Sequence, residues 1–144
     1  MTVASILRQK GHAVACVAPT ALIADVSKEL ADHRIGAILV RDAASQILGI
    51  VSERDIVRCL AQHGASCLDM TAAQLMTSML FTVTPATTVA EAMGIMTHSR
   101  VRHLPVLDHG ELVGLISIGD VVKTRIDQQE QEVDSLRAYV AGSA

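Results

Sequence analysis

Apolar residues fall along this chain in two rhythms, and the succession of rhythms occurs twice. Leu22, Ile23, Val26 and Leu30 recur at three- and four-residue spacing, which predicts a helix with one apolar face. A continuous apolar run follows, Ala37-Ile38-Leu39-Val40. Then come the polar turn DAASQ, a second run through Leu48-Gly49-Ile50-Val51, and a further helix after Ser52. Later in the chain Val89, Ala92, Met93 and Met96 repeat the helical spacing. Leu104-Pro105-Val106-Leu107 repeats the first run, DHGE repeats the turn, and Leu112-Val113-Gly114-Leu115-Ile116 leads into a closing helix after Ser117. Each copy reads strand, helix, strand, strand, helix. The entry segments are Val17-Ala18-Pro19 and Val83-Thr84-Pro85, with each proline expected near the first turn of its helix. Near-continuous apolar strands suit a small sheet covered by helices.

The two copies align at an offset of 66 residues, from Pro19 to Pro85. Ile23 then falls on Val89, Leu30 on Met96, Arg34 on Arg100, Ile35 on Val101 and Val40 on Val106. After a one-residue deletion in the second copy, Gly49-Ile50-Val51-Ser52 matches Gly114-Leu115-Ile116-Ser117, and Asp55 matches Asp120. The lead-in from Thr2 to Leu7 loosely matches that from Thr71 to Met76. Two copies are too few for a solenoid and suit a pseudo-two-fold pair packed face to face. The expected division is 1–65 for the first repeat with its lead-in helix, 66–128 for the second with its lead-in, and 129–144 for a polar C-terminal helix or tail. In that region Ile126, Val133, Leu136 and Val140 form a helical stripe, expected to pack back on its own domain, with a dimer contact as the alternative.

Of the 144 residues half are hydrophobic, but there is one Phe, one Tyr and no Trp. The core is therefore aliphatic, and a flat ligand would have to be gripped by aliphatic side chains and backbone. A net charge of −3 argues against nucleic-acid binding. No apolar run approaches the ~20 residues that span a bilayer, and the N-terminus lacks a signal-peptide core. Cys16, Cys59 and Cys67 are odd in number, show no C-x-x-C spacing and sit among apolar residues, so they read as inert free thiols in a reducing cytoplasm. Neither a glycine-rich phosphate loop nor H-E-x-x-H, H-x-x-x-H or G-x-S-x-G occurs. The expectation is a protein that is no enzyme and holds no catalytic cofactor or metal.

The chemistry concentrates at Ser52-Glu53-Arg54-Asp55 and Ser117-Ile118-Gly119-Asp120, each where a strand turns into a helix. Ser-x-x-Asp is close to a capping box, in which the serine and the acid satisfy the helix's first N–H groups. It also suits ligand binding, because a carboxylate can accept both vicinal hydroxyls of a ribose and a helix N-terminus favours an anion. Capping is the stronger reading of the motif alone, but it gives no reason for the rest of the pattern to recur. Arg34 and Arg100 read as helix-end caps.

In order and spacing, V-x-P, R-I-G-A-I-L-V-R-D with R-V-R-H-L-P-V-L-D, and G-I-V-S-E-R-D-I-V with G-L-I-S-I-G-D-V-V resemble a pair of CBS domains, the Bateman module, over nearly the whole chain. The resemblance implies an α+β fold of α/β type: two β-α-β-β-α repeats packed pseudo-two-fold through their sheets, usually as dimers. It also implies two clefts for AMP, ADP, ATP, NAD(H) or S-adenosylmethionine. In one, Asp120 would hold the ribose with Ser117 and Leu115, and the base would meet Ala18, Ile23, Ile35, Gly36 and Ala37. In the other, Asp55 and Ser52 would hold the sugar, and Thr84, Val89, Val101, Arg102 and His103 would line the base or phosphate side. Arg54, Arg102 and His103 are the cations for phosphate; Arg102 reads as functional, and His103 equally as functional or structural. The expected protein is thus a cytoplasmic homodimer that binds an adenine nucleotide, AMP foremost. It would sense energy or redox state and signal to a protein partner in trans. The alternative is a ligand-free dimerisation or assembly protein.

Overall fold

The structure, a computed structural model, describes residues 1–142; Ser143 and Ala144, the end of the expected tail, lie outside the described residues. The chain divides into two compact units, Val14–Leu80 and a second made of Met1–Ala13 with the residues from Phe81 onward.

In the Val14–Leu80 unit, β1 (Cys16–Val17) pairs in parallel with β2 (Ala37–Arg41), which pairs antiparallel with β3 (Ile47–Ser52). Helices α2 (Ile23–His33) and α3 (Glu53–His63), a 3-10 turn (Gly64–Asp69) and the short α4 (Ala72–Leu75) complete it. Ile23, Val26 and Leu30 of α2 meet Ile38, Val40 and Val51 of the sheet in one aliphatic core, joined by Ile56, Cys59, Cys67 and Ala72. The predicted helical spacing thus describes the buried face except at Leu22, which stands just ahead of the helix and is exposed. Helix α2 ends on Arg34 in the left-handed region (φ 54°), and the Ile35 N–H reaches back to the Leu30 carbonyl at 3.1 Å. Arg100 does the same at the matching helix end, with Val101 N–H on Met96, so both arginines are helix caps as expected.

The other unit holds α1 (Val3–Lys10), α5 (Val89–Ser99), the hairpin β4 (His103–Asp108) and β5 (Glu111–Ser117), and α6 (Ile118–Gly142). Its core combines Val3, Ile6 and Leu7 with Val89, Ala92, Met96, Leu104, Val106, Ile116 and Val121. The expected entry strand is reduced to a single parallel bridge, Val83 to Val106. Proline explains the difference. In the first copy the Leu39 N–H donates to the Ala15 carbonyl; at the matching place Pro105 has no N–H to offer Phe81, so pairing stops at Val83.

The lead-ins are exchanged. Helix α1, expected with the first copy, packs in the core of the second copy's unit, and residues 66–80, expected with the second copy, belong with the first. The same bonds hold both. Val3 N–H donates to Thr87 and Ala4 N–H to Pro85; Ala72 N–H donates to Ala21 and Ala73 N–H to Pro19. The prolines therefore sit in the turn ahead of each helix, their carbonyls receiving a lead-in, rather than in the helix's first turn. Each lead-in then crosses a strand glycine. A Cβ on Gly114 would lie 2.5 Å from Leu7 Cδ2, and one on Gly49 would lie 2.7 Å from the Thr77 carbonyl oxygen.

The closing helix and the tail form one helix of 25 residues. The expectation that the tail stripe packs back on its own domain is overturned: Ile126, Val133, Leu136 and Val140 are all exposed, and beyond Thr124 no described residue of α6 is buried. Cys59 and Cys67 are buried as expected, whereas Cys16 lies exposed at the sheet edge. Among the described residues no helix is long and apolar enough to cross a membrane.

The crossings make a graded prediction. Gly49→Ala meets backbone that cannot yield and should destabilise by about 2–3 kcal/mol, whereas Gly114→Ala displaces a leucine side chain and should cost about 1–2 kcal/mol. Urea unfolding of both variants checks the order; two neutral substitutions would remove this account of the glycines.

Candidate functional site

Each strand-to-helix turn is built the same way. Ser52 ends β3 in extended conformation and pairs with Ala37, while the Glu53 N–H that opens α3 donates to the Gly36 carbonyl at 2.9 Å. Ser117 pairs with His103, and the Ile118 N–H donates to the Arg102 carbonyl at 2.8 Å. The acid one turn into each helix is thereby turned back toward the strand end.

Both acids form the reciprocal cap that the local motif predicts. Asp55 Oδ2 accepts the Ser52 N–H at 2.9 Å and its hydroxyl at 3.0 Å, and the Asp55 N–H donates to Ser52 Oγ at 3.2 Å. Asp120 Oδ2 accepts the Ser117 N–H at 2.8 Å, and the Asp120 N–H donates to Ser117 Oγ at 3.2 Å. These bonds use one oxygen of each carboxylate; no hydrogen bond among the described residues falls on either Oδ1.

The turns differ in charge. Lys10, at the end of α1, donates to Asp120 Oδ2 at 2.6 Å and to the Leu115 carbonyl at 2.8 Å. His12 beside it bonds to the Val113 carbonyl at 2.9 Å. In sequence register Met79, which is exposed, aligns with Lys10, and among the described residues no ion pair involves Asp55. Sequence reasoning missed Lys10, since only the exchange of lead-ins brings it to a residue 110 positions away. The sole signal was the loose match of the two lead-ins.

The residues expected to line a site divide by exposure. Ile23, Ala37 and Val89 are closed off at 0, 1 and 1 % exposure, Ile23 and Val89 within the cores, so their side chains shape the turns from behind. Ala18, Arg54, Thr84 and Arg102 are exposed, and Ile35, Gly36, Val101, His103 and Leu115 are partly buried. Within each unit the turn that carries the acid is tied to its own copy's strand start: Glu53 to Gly36 and Ser52 to Ala37, Ile118 to Arg102 and Ser117 to His103. No group of three or more metal-ligating side chains gathers among the described residues. Burial, with added repulsion from Cys59, pushes the Cys67 thiol up to about 11, which keeps it protonated and unreactive.

Electrostatics around Asp120 carry a pH signature. Burial acts to raise its pKa, but the Lys10 ammonium and the bonds from Ser117 outweigh it and hold the carboxyl below the usual range. His103 is lowered from its ordinary value by burial first, then by Lys10, against a smaller opposing pull from Asp120 and with a further push from Arg102. In both cases the unfolded chain takes up protons at a higher pH than the folded one. Stability is therefore full above the unfolded values and is lost as pH falls, first from 6.5 toward the His103 value and then from 3.8 toward the Asp120 value. His103→Gln should flatten the first step in a pH series of urea midpoints. Lys10→Met should shrink the second step, because the folded Asp120 value rises toward 3.8, and should cost only about 0.5 kcal/mol near neutrality, because the pair is partly exposed and screened.

The comparisons agree with this architecture. The CBS domain family model matches residues 3–62 and 72–127. A CBS-domain-containing protein of known structure from Agrobacterium tumefaciens is 41% identical, with a TM-score of 0.84 over 86% of this chain and 92% of its own. A CBS domain protein from Pyrobaculum aerophilum, solved as a complex with AMP, is 32% identical, with a TM-score of 0.74 over 83% of this chain and 89% of its own. A mitochondrial CBS domain-containing protein of Arabidopsis thaliana is 37% identical over 82% of this chain, which spans 59% of that protein's length. The chain belongs to the CBS-domain family and carries the domain twice, as a tandem pair.

Proposed function

We propose that this chain is a regulatory module, not an enzyme, that binds an adenine nucleotide, with Asp55 and Asp120 accepting the ribose hydroxyls. AMP is the favoured ligand; ADP, ATP and NAD(H) are its competitors. The observation that carries the reading is the half-used carboxylate. An ionised carboxylate has about four acceptor positions. Capping takes those on Oδ2 and fixes the group's direction, while Oδ1 stays open to two adjacent hydroxyls at a helix N-terminus that favours an anion. The AMP complex of the 32% identical relative supports the choice of ligand. Arg54, Arg102 and His103, together with Lys10, are the cations this reading assigns to phosphate, and Ala18, Thr84, Ile35, Gly36, Val101 and Leu115 are its remaining contacts.

Occupancy would report the level of the nucleotide to a protein partner in trans. A ligand shifts such a module only as far as it binds one arrangement better than another. A second reading, assembly without a ligand, draws on the exposed apolar face of α6.

Calorimetry and thermal shift with AMP, ADP, ATP and NADH separate the two. A nucleotide at a hundred times its Kd should stabilise by ~2.7 kcal/mol. Asp55→Asn and Asp120→Asn keep a capping oxygen but turn an amide toward the sugar. The variant at an occupied turn should bind at least about tenfold more weakly, the scale of a lost charged hydrogen bond, with most of its stability retained. Unchanged affinity in the double variant would remove the assignment of these acids. A flat response to all four nucleotides would favour the assembly reading.

A further inference from the structure

Helix α6 runs about 37 Å. Val122, Ile126, Gln129, Val133, Leu136 and Val140 fall along it at alternating spacings of four and three. That is the a/d pattern of a coiled-coil seam, with Ile126, Val133 and Val140 at a and Val122, Gln129 and Leu136 at d. Val122, Ile126, Val133 and Leu136 are each 44–64 % exposed, while Thr124 on the opposite side is buried. From Val122, the fifth residue past Ser117, the helix presents one line outward that is apolar except at Gln129.

We infer that this seam pairs with the same seam of a second copy, as a parallel two-stranded coiled coil. The flanking charges choose both partner and direction. In a parallel, in-register pair each g residue faces the e residue five places on in the partner. Arg125 then meets the second copy's Glu130, and Glu132 meets its Arg137, each twice by symmetry. Antiparallel pairing at full overlap would set Glu130 against Glu130, Glu132 against Glu132 and Lys123 against Arg137, so the like charges count against it. Branched residues at a with a leucine at d favour two strands, and Gln129 facing its own copy penalises slipped registers. The inference stands apart from the nucleotide reading, since none of these residues belongs to the turns.

The test uses the full chain in sedimentation equilibrium, with circular dichroism to confirm folding. These side chains are exposed in the single copy, so their replacement should leave the fold intact. Val133→Asp with Leu136→Asp should weaken the dimer at least about tenfold. Arg125→Glu should weaken it about tenfold, and adding Glu130→Arg should restore it, because that exchange re-forms the pair with reversed charges. In a Cys16→Ser background, Gln129→Cys should cross-link to itself in a glutathione buffer. A monomer at every concentration, a dimer indifferent to the two aspartates, or no rescue by Glu130→Arg would overturn the inference. So would a cross-link that forms only when Gln129→Cys and Val133→Cys chains are mixed, which marks the antiparallel arrangement.

Discussion

The first N–H groups of α3 and α6 have no carbonyl of their own helix to reach, and the character of both turns follows from that shortage. Ser52 with Asp55, and Ser117 with Asp120, resolve it by reciprocal capping. The solution places a carboxylate at the end of a buried strand and holds it by one oxygen, while no hydrogen bond among the described residues falls on the other. Capping and the proposed ligand recognition are therefore not rivals here. The cap supplies the rigidity that would let a single acid hold two hydroxyls in fixed geometry, without the entropy cost of ordering it on binding.

The two turns share a frame but not a charge. The frame comes from the lead-ins, each of which bonds to the proline turn ahead of a helix and then lies across a strand glycine. The charge comes from what the lead-in carries next. Lys10 brings an ammonium to Asp120, whereas among the described residues no ion pair involves Asp55. One duplicated unit thus yields two acids of different electrostatic setting. An anionic ligand bound as proposed would meet the Lys10–Asp120 ion pair at one turn and no such pair at the other.

Much of this was legible in the residues because it is local. Ser52 and Asp55 lie within one helical turn, the α2 stripe is its own buried face, and Arg34 and Arg100 stand where a helix must end. What escaped is nonlocal. The partner of Asp120 is 110 residues away, and nothing near Lys10 marks it as a counter-ion. The lead-ins could not be assigned to a unit from order along the chain, because neighbours in sequence are here neighbours of the other repeat. The stripe of α6 was visible as a period, but a period does not say whether its face meets the same chain. The shortened second entry strand was readable after all, in Pro105, once the place of the missing N–H in the ladder is known.

A crystal structure of the protein with AMP bound tests the central claim most directly. The account predicts ribose hydroxyls at 2.6–3.0 Å from Oδ1 of Asp55 or Asp120, the range of hydrogen bonds to a carboxylate, with Oδ2 still capping its helix. A nucleotide seated elsewhere, or a cap broken to free both oxygens, would contradict it.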